Sequence, residues 1–202
     1  IHHYIDFAQL NLAKKAIKMG MDQHPQNVEL MLLKSEILLF DGEHKEAEDL
    51  LVEIERISPE HEEIFLQRAN IFSKKKNHPK AIKLLEKALE LTDEPIEIWN
   101  LMGMEYLFLE DYIRAKQYFY QCIQENSFDY QSLYNLLYCY EQLGENTEAI
   151  NTLNNLLEIN PYSEVAWHQL GKIYIRINKF EEALSAFEFA IIYLSLAKRL
   201  FI

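Results

Sequence analysis

Glycine and proline are scarce, five of each in 202 residues, where a sandwich or barrel with many tight turns would need far more of both. Long helices joined by short connections fit that scarcity. Cysteine is scarcer still. Cys122 and Cys139 lie inside apolar helical patterns, not in a spaced framework or beside histidines at metal-ligand intervals, so they read as reduced, buried, small hydrophobes. Long apolar runs are missing too: the longest, Phe189 to Ala197, falls well short of the roughly 20 residues that a membrane-spanning helix requires. Basic charge is the minority, with 20 Lys and Arg against 32 Asp and Glu for a formal net charge of -12. A surface of that sign repels phosphate backbones and anionic headgroups, so neither nucleic acid nor membrane insertion is expected.

What the chain does contain is a repeat. Ala13, Ala47, Ala81, Ala115, Ala149 and Ala183 follow one another at intervals of 34 residues without a gap. A fixed period of that length marks a stacked helical array, in which one helical hairpin cannot bury its own apolar face and needs neighbours. The period divides the chain into an incomplete unit over 1–27, full units over 28–61, 62–95, 96–129, 130–163 and 164–197, and a tail or further start over 198–202. In the last full unit, Trp167, Leu170, Tyr174 and Ile177 form one apolar stripe and Phe180, Ala183, Leu184, Phe187 and Ala190 a second, with Asn178-Lys179 turning between two antiparallel helices. The repeated alanine is small because the two backbones cross there, and enlarging it should cost about 1–3 kcal/mol through overpacking. Pro25, Pro59 and Pro161 share one register between units, and Asp41-Gly42-Glu43, Lys76-Asn77-His78, Glu110-Asp111 and Gly144-Glu145-Asn146 mark the internal turns. These read as turns within a single domain over 1–202.

The pattern Trp167-x-x-Leu170-Gly171-x-x-Tyr174, followed by Ala183, Phe187 and Ala190, resembles the tetratricopeptide-repeat (TPR) consensus. The unit from Ile96 is similar through Trp99, Met102, Gly103, Tyr106, Ala115 and Phe119, and the unit from Tyr130 through Leu133, Leu136, Tyr140, Ala149, Leu153 and Pro161. Leu137 stands where a small residue is usual, Arg68 where leucine is, and Ser127 where proline is. Pentatricopeptide and Sel1-like arrays have longer periods, and an RNA-reading array would be basic. The resemblance implies an all-α, right-handed superhelical α-solenoid of tetratricopeptide-type hairpins, whose first helices line a concave groove that grips a peptide or partner helix.

On that geometry the groove would be lined by first-helix residues off the packing stripe: Glu63, Leu66, Gln67, Asn70 and Lys74, then Glu97, Asn100, Met104, Leu107 and Phe108, then Gln131, Tyr134, Asn135 and Tyr138, then His168, Gln169, Lys172 and Arg176. Asn70, Asn100, Met104, Tyr134, Asn135, Tyr138, His168, Lys172 and Arg176 are the candidate partner-binding residues. Amides satisfy a peptide backbone and tyrosine rings add rigid contact area, although each of these side chains has the alternative of simply covering its neighbours. Some TPR proteins clamp a C-terminal carboxylate with cationic and amide side chains; the matching positions here are Asn100, Met104, Asn135, Val165 and Gln169, without a cation, so that clamp is not expected. Glutamates at Glu29, Glu36, Glu63 and Glu97 against His168, Lys172 and Arg176 suggest a polarised partner with its acidic group near Lys172 and Arg176, against the alternative of cations settled at a helix end.

Reaction chemistry has little to stand on. There is no Gly-x-Ser-x-Gly elbow, no phosphate-cradling glycine loop and no His-Glu-x-x-His, and the pairs Glu62-Glu63 and Glu181-Glu182 sit at helix starts, where carboxylates favour the dipole. His44 and His78, one repeat apart, would be on the order of 10 Å from each other, too far for one ion with bonds near 2 Å, and the adjacent His2-His3 pair does not share a helical face. Lys74-Lys75-Lys76 with Lys80 and Lys83 reads as a solvated helix end. No metal, cofactor or catalysis is expected. The expected function is a protein-interaction scaffold, with a non-catalytic arm of a larger protein, or a self-assembly module pairing through its terminal repeats, as alternatives. Ile1 in place of methionine, residues 1–5 reading as the close of an incomplete helix, and the apolar end Ile191–Ile202 suggest an excerpt of a longer protein, whose location the sequence leaves unknown with the cytoplasm favoured.

Overall fold

In a computed structural model of the chain, the backbone is described for residues 7–200 and the side chains for residues 10–195. The His2-His3 pair, the expected helix remnant at residues 1–5 and the side chains at the tail lie outside the described residues. Among these, the chain forms eleven helices and no strand: α1 (Phe7–Gln23), α2 (Val28–Phe40), α3 (His44–Ile57), α4 (Glu62–Lys74), α5 (His78–Leu89), α6 (Ile96–Phe108), α7 (Tyr112–Glu125), α8 (Tyr130–Leu143), α9 (Asn146–Ile159), α10 (Glu164–Arg176) and α11 (Phe180–Leu200). No described helix is long and apolar enough to cross a membrane. The helices gather into two compact units that divide at the turn between α6 and α7, the first running to Leu109 and the second from Glu110.

Helix boundaries follow from local chemistry. The side chains of Asn27, Asn77, Asp111, Asp129 and Ser163 each accept a hydrogen bond from a backbone N–H three residues on, 3.0–3.3 Å away, which satisfies a donor that the first helical turn leaves open. At the other end, residues with positive φ recur every 34 positions: Gly42 (84°), Lys76 (57°), Glu110 (57°), Gly144 (72°) and Asn178 (61°). The left-handed residue turns the chain so that the next N–H reaches back over the final helical turn. Glu43 N donates to the Leu38 carbonyl (2.8 Å), Asn77 N to Phe72 (2.8 Å), Glu145 N to Tyr140 (2.9 Å) and Lys179 N to Tyr174 (2.8 Å). Glycine adopts that conformation freely, whereas Lys76 and Glu110 are held there at about 1–2 kcal/mol by the turn itself.

In the first unit α2 pairs with α3 and α4 with α5, while α1 packs on α2, α3 on α4 and α5 on α6. The crossing residues Ala47 and Ala81 are fully buried, as the repeat predicts. Met31, Leu32, Leu51, Ile54, Ile64 and Ile71 join Ala47 in an apolar core. Arg68, in the slot that usually holds leucine, is answered by two acids of α3: its Nε lies 3.3 Å from Glu48 Oε1 and its Nη1 2.6 Å from Glu55 Oε2.

The second unit pairs α8 with α9 and α10 with α11, with α7 packed on α8 and α9 on α10. Ala115, Ala149 and Ala183 are buried at the crossings, and Phe119, Leu133, Leu136 and Leu153 are completely enclosed. Gly171 allows the closest approach: a Cβ there would stand 2.8 Å from the Phe187 ring, so α10 lies against α11 only because this position is bare. One expectation is corrected here. The stripe assigned to the last second helix is only partly inside, because Phe180 and Leu184 are 64% and 62% exposed. The line that meets α10 is Ala183, Ala186 and Ala190, all buried, and a residue one position along a helix points about 100° away. Cys122 and Cys139 are buried and form no disulfide, and burial pushes the Cys139 thiol up to about 12, so it stays protonated and behaves as a small hydrophobe.

Candidate functional site

The candidate residues fall on first helices at repeating positions. Asn100, Tyr134 and His168 are 34 apart, as are Asn70, Met104, Tyr138 and Lys172. Asn70 is exposed on α4, and Asn100 and Met104 are half-buried on α6, all in the first unit. Tyr134, Asn135 and Tyr138 lie on α8 and His168, Lys172 and Arg176 on α10, all in the second unit.

The first unit's face is acidic. Gln67, expected on the groove, is instead buried; its side chain lies against the Ser35 hydroxyl of α2 and its Nε2 donates to Glu63 Oε1 (2.9 Å). A glutamine there serves the α2–α4 contact, because a buried hydroxyl needs a partner. Burial holds the Glu63 carboxyl above the usual range, opposed by the Gln67 hydrogen bond and reinforced by the Glu36 and Glu97 charges. His61 Nε2 stands 3.4 Å from Glu29 Oε1. The five lysines of the Lys74–Lys83 cluster are all exposed, and two of them, Lys75 and Lys80, lie 5.5 and 3.6 Å from the Phe72 ring centre.

Within the second unit the candidates converge. A cleft of about 210 Å³ opens between α8 and α10, lined by Tyr134, Leu137, Tyr138, Glu141, Gln169, Lys172 and Arg176. Tyr134 and Tyr138, one helical turn apart, are 44% and 46% exposed, and Tyr138 meets the Tyr112 ring of α7 edge-on at 6.1 Å. Tyr134 also borders a second cleft of about 450 Å³, walled by Glu164, Val165 and His168 of α10 and by Phe187, Ala190, Ile191 and Leu194 of α11. His168 meets Phe187 edge-on at 5.6 Å. The two expected cations differ in what they are free to do. Arg176 Nη2 is 2.7 Å from Glu141 Oε2, and its Nη1 donates to Asn146 Oδ1 at 3.5 Å, so it ties the ends of α8, α9 and α10 together. Lys172 is exposed and forms no ion pair among the described residues. Asn135 is half-buried on α8.

Comparison with known proteins adds the lineage. Residues 19–190 match the family model described as ChAPs, the Chs5p-Arf1p-binding proteins. The chain belongs to the ChAPs family. Solved structures similar to this family member are TPR proteins. YrrB, a TPR protein with an unusual peptide-binding site, superposes with a TM-score of 0.65 at 18% identity, over 88% of this chain and 92% of YrrB. MamA gives 0.66 at 18%, over 85% and 94%, and the Cut9–Hcn1 hetero-tetramer of the anaphase-promoting complex 0.63 at 19%, over 92% of this chain and 37% of that one. Identity at this level shows the shared helical-repeat fold. Among curated proteins, anaphase-promoting complex subunit 3 of Schizosaccharomyces pombe is 27% identical over 111 residues, 55% of this chain and 17% of that protein. The chain therefore spans about a sixth of the length of that relative.

Proposed function

We propose that the chain is a non-catalytic scaffold that holds a partner polypeptide on the first-helix faces of α8 and α10, and that its partners are proteins of the Chs5p and Arf1p kind for which its family is described. The observation that carries this reading is the row of two half-exposed tyrosines, Tyr134 and Tyr138, beside the unpaired Lys172 along one cleft. Rigid aromatic rings give contact area at little entropic cost, and a free cation beside them orients an acidic group. Arg176 supports the geometry from behind by holding Glu141. Asn70, Asn100 and Met104 offer a partner the same repeat positions on α4 and α6.

Titration of the purified chain with Chs5p and with Arf1p tests this. Tyr134→Ala combined with Tyr138→Ala is expected to weaken binding of the engaged partner about 10- to 100-fold, as truncation of aromatic anchors does, with far-UV circular dichroism unchanged because both rings are largely outside the core. Equal affinity of the wild type and the double variant would remove the surface, and absence of binding to either protein would remove the partners.

A further inference from the structure

One stretch of the first unit runs against the charge of the rest of the chain. No Asp or Glu stands between Glu63 and Glu86, although the chain carries 32, and lysine fills six of the positions 74–87: Lys74, Lys75, Lys76, Lys80, Lys83 and Lys87. All six are exposed. Among the described residues none of them forms an ion pair, whereas Lys14 of the same unit is held by Asp41 and Arg68 by Glu48 and Glu55. α4 packs on α3 and α5 on α6, so this face is open with a neighbouring helix in place on either side.

Helix dipoles account for only part of the cluster. Lys74 and Lys75 close α4, where a cation is favoured, but Lys80 is the third residue of α5, where a cation is disfavoured and the first turn holds no acid. The equivalent place is Glu46 in α3, Glu148 in α9 and Glu182 in α11, and Arg114 of α7 is answered by Asp111 Oδ2 at 2.6 Å. Lys80 has only the Phe72 ring, 3.6 Å away. One repeat earlier, the places of Lys75, Lys80, Lys83 and Lys87 hold Asp41, Glu46, Asp49 and Glu53, so α5 inverts the charge that α3 carries on the same face. Lys80, Lys83 and Lys87 step by three and four residues and therefore share one stripe, with Lys75 and Lys76 in the turn beside it. Unpaired cations this close repel one another, and anionic groups set among them relieve the repulsion.

We propose that this face is a docking site for an acidic segment of a partner protein, lying extended along Lys80, Lys83 and Lys87 with one end over the α4–α5 turn. Lys80 and Lys87 are about 10 Å apart along the helix axis. An extended chain with an acid at every second residue sets a carboxylate about every 7 Å, so two or three of them meet the stripe. A bilayer or a nucleic-acid duplex presents negative charge over a far wider area, and would also meet the exposed Glu46, Asp49 and Glu53 of α3. A narrow peptide follows the lysines alone. The site lies in the first unit and stands apart from the α8–α10 surface.

The probe is a fluorescein-labelled synthetic peptide of about 12 residues with glutamate at alternate positions, followed by fluorescence anisotropy. It is expected to bind, and its glutamine counterpart to bind at least about tenfold more weakly. Lys80→Glu combined with Lys83→Asp gives α5 the residues that α3 already carries, so circular dichroism and the thermal midpoint should hold while peptide affinity falls about tenfold or more. Lys15→Glu with Lys18→Asp makes the same change of charge at exposed positions of α1 and should leave affinity within about twofold. Tyr138→Ala should leave it unchanged, which separates this site from the α8–α10 surface. Absence of binding, equal weakening by the two lysine-pair variants, or tighter binding of a single-stranded RNA or of phosphatidylserine vesicles than of the peptide would overturn the proposal. So would a lower thermal midpoint of the α5 variant with peptide affinity retained, the mark of lysines that only balance the acids of α3. Self-association of the chain alone, seen by sedimentation and abolished by the α5 variant, would assign the face to a second copy and overturn it as well.

Discussion

Phe119→Ala is expected to lower the unfolding free energy by about 3–5 kcal/mol, the range for deleting a fully enclosed aromatic ring. Phe119 is completely buried on α7 and is among the largest fully enclosed side chains of the described residues. Because small domains hold only about 5–15 kcal/mol in all, this one change removes a large part of the reserve. Urea denaturation followed by circular dichroism at 222 nm would report it as a lower midpoint with an unchanged slope. The nearby Tyr120→Ala, a ring 40% exposed on the same helix, should move the midpoint far less. Equal shifts for the two would mean that the 34-residue register does not set which face of α7 is inside.

Arg68→Leu restores the residue that the repeat usually places in this slot, yet it is expected to destabilise by about 2–3 kcal/mol. The change leaves Glu48 and Glu55 at a joint with no cation between them, and the three side chains are only 15%, 19% and 31% exposed; breaking one side of such a cluster costs more than the intact cluster contributes. The repeat itself indicates the compensation. Positions equivalent to Glu48 hold Ile82, Lys116 and Ile150, those equivalent to Glu55 hold Leu89, Ile123 and Leu157, and those equivalent to Arg68 hold Lys34, Met102, Leu136 and Leu170, so the α5–α6 and α9–α10 joints are apolar at all three. The triple variant Arg68→Leu, Glu48→Ile, Glu55→Leu is therefore expected within about 1 kcal/mol of the wild type, or above it, as when an ionic cluster is exchanged for an apolar one of similar volume. Denaturant midpoints of the single and triple variants decide the matter. A triple variant less stable than Arg68→Leu alone would show that the α3–α4 joint is not built on repeat equivalence.

Much of this was legible in the sequence because a 34-residue period carries its own register. The crossing alanines, the hairpin turns and the convergence of Tyr134, Tyr138 and Lys172 all follow from placing each residue on its helix. What escaped depends on neighbours from another helix. Gln67 lies off the apolar stripe of α4, and only the buried hydroxyl of Ser35 on α2 makes it an interior residue. Arg176 reads as a free cation at a helix end until Glu141, 35 positions earlier, stands 2.7 Å away. The positive φ at Lys76 and Glu110 has no signature in residue type; at Lys76 the turn is closed by the Asn77 N–H reaching the Phe72 carbonyl and not by a glycine. Phe180 and Leu184 read as internal from their apolar spacing, whereas the same column in earlier repeats is mostly half-buried, with Ile82 inside, where the following helix packs beside it.

Amide hydrogen exchange of the chain with and without saturating bound partner, Chs5p or Arf1p as titration selects, tests the recognition surface most directly. Slowed exchange over residues 130–143 and 164–176, the span of α8 and α10, is expected, with α9 unchanged. Protection confined to α9 or α7, while α8 and α10 exchange at their unbound rates, would contradict it.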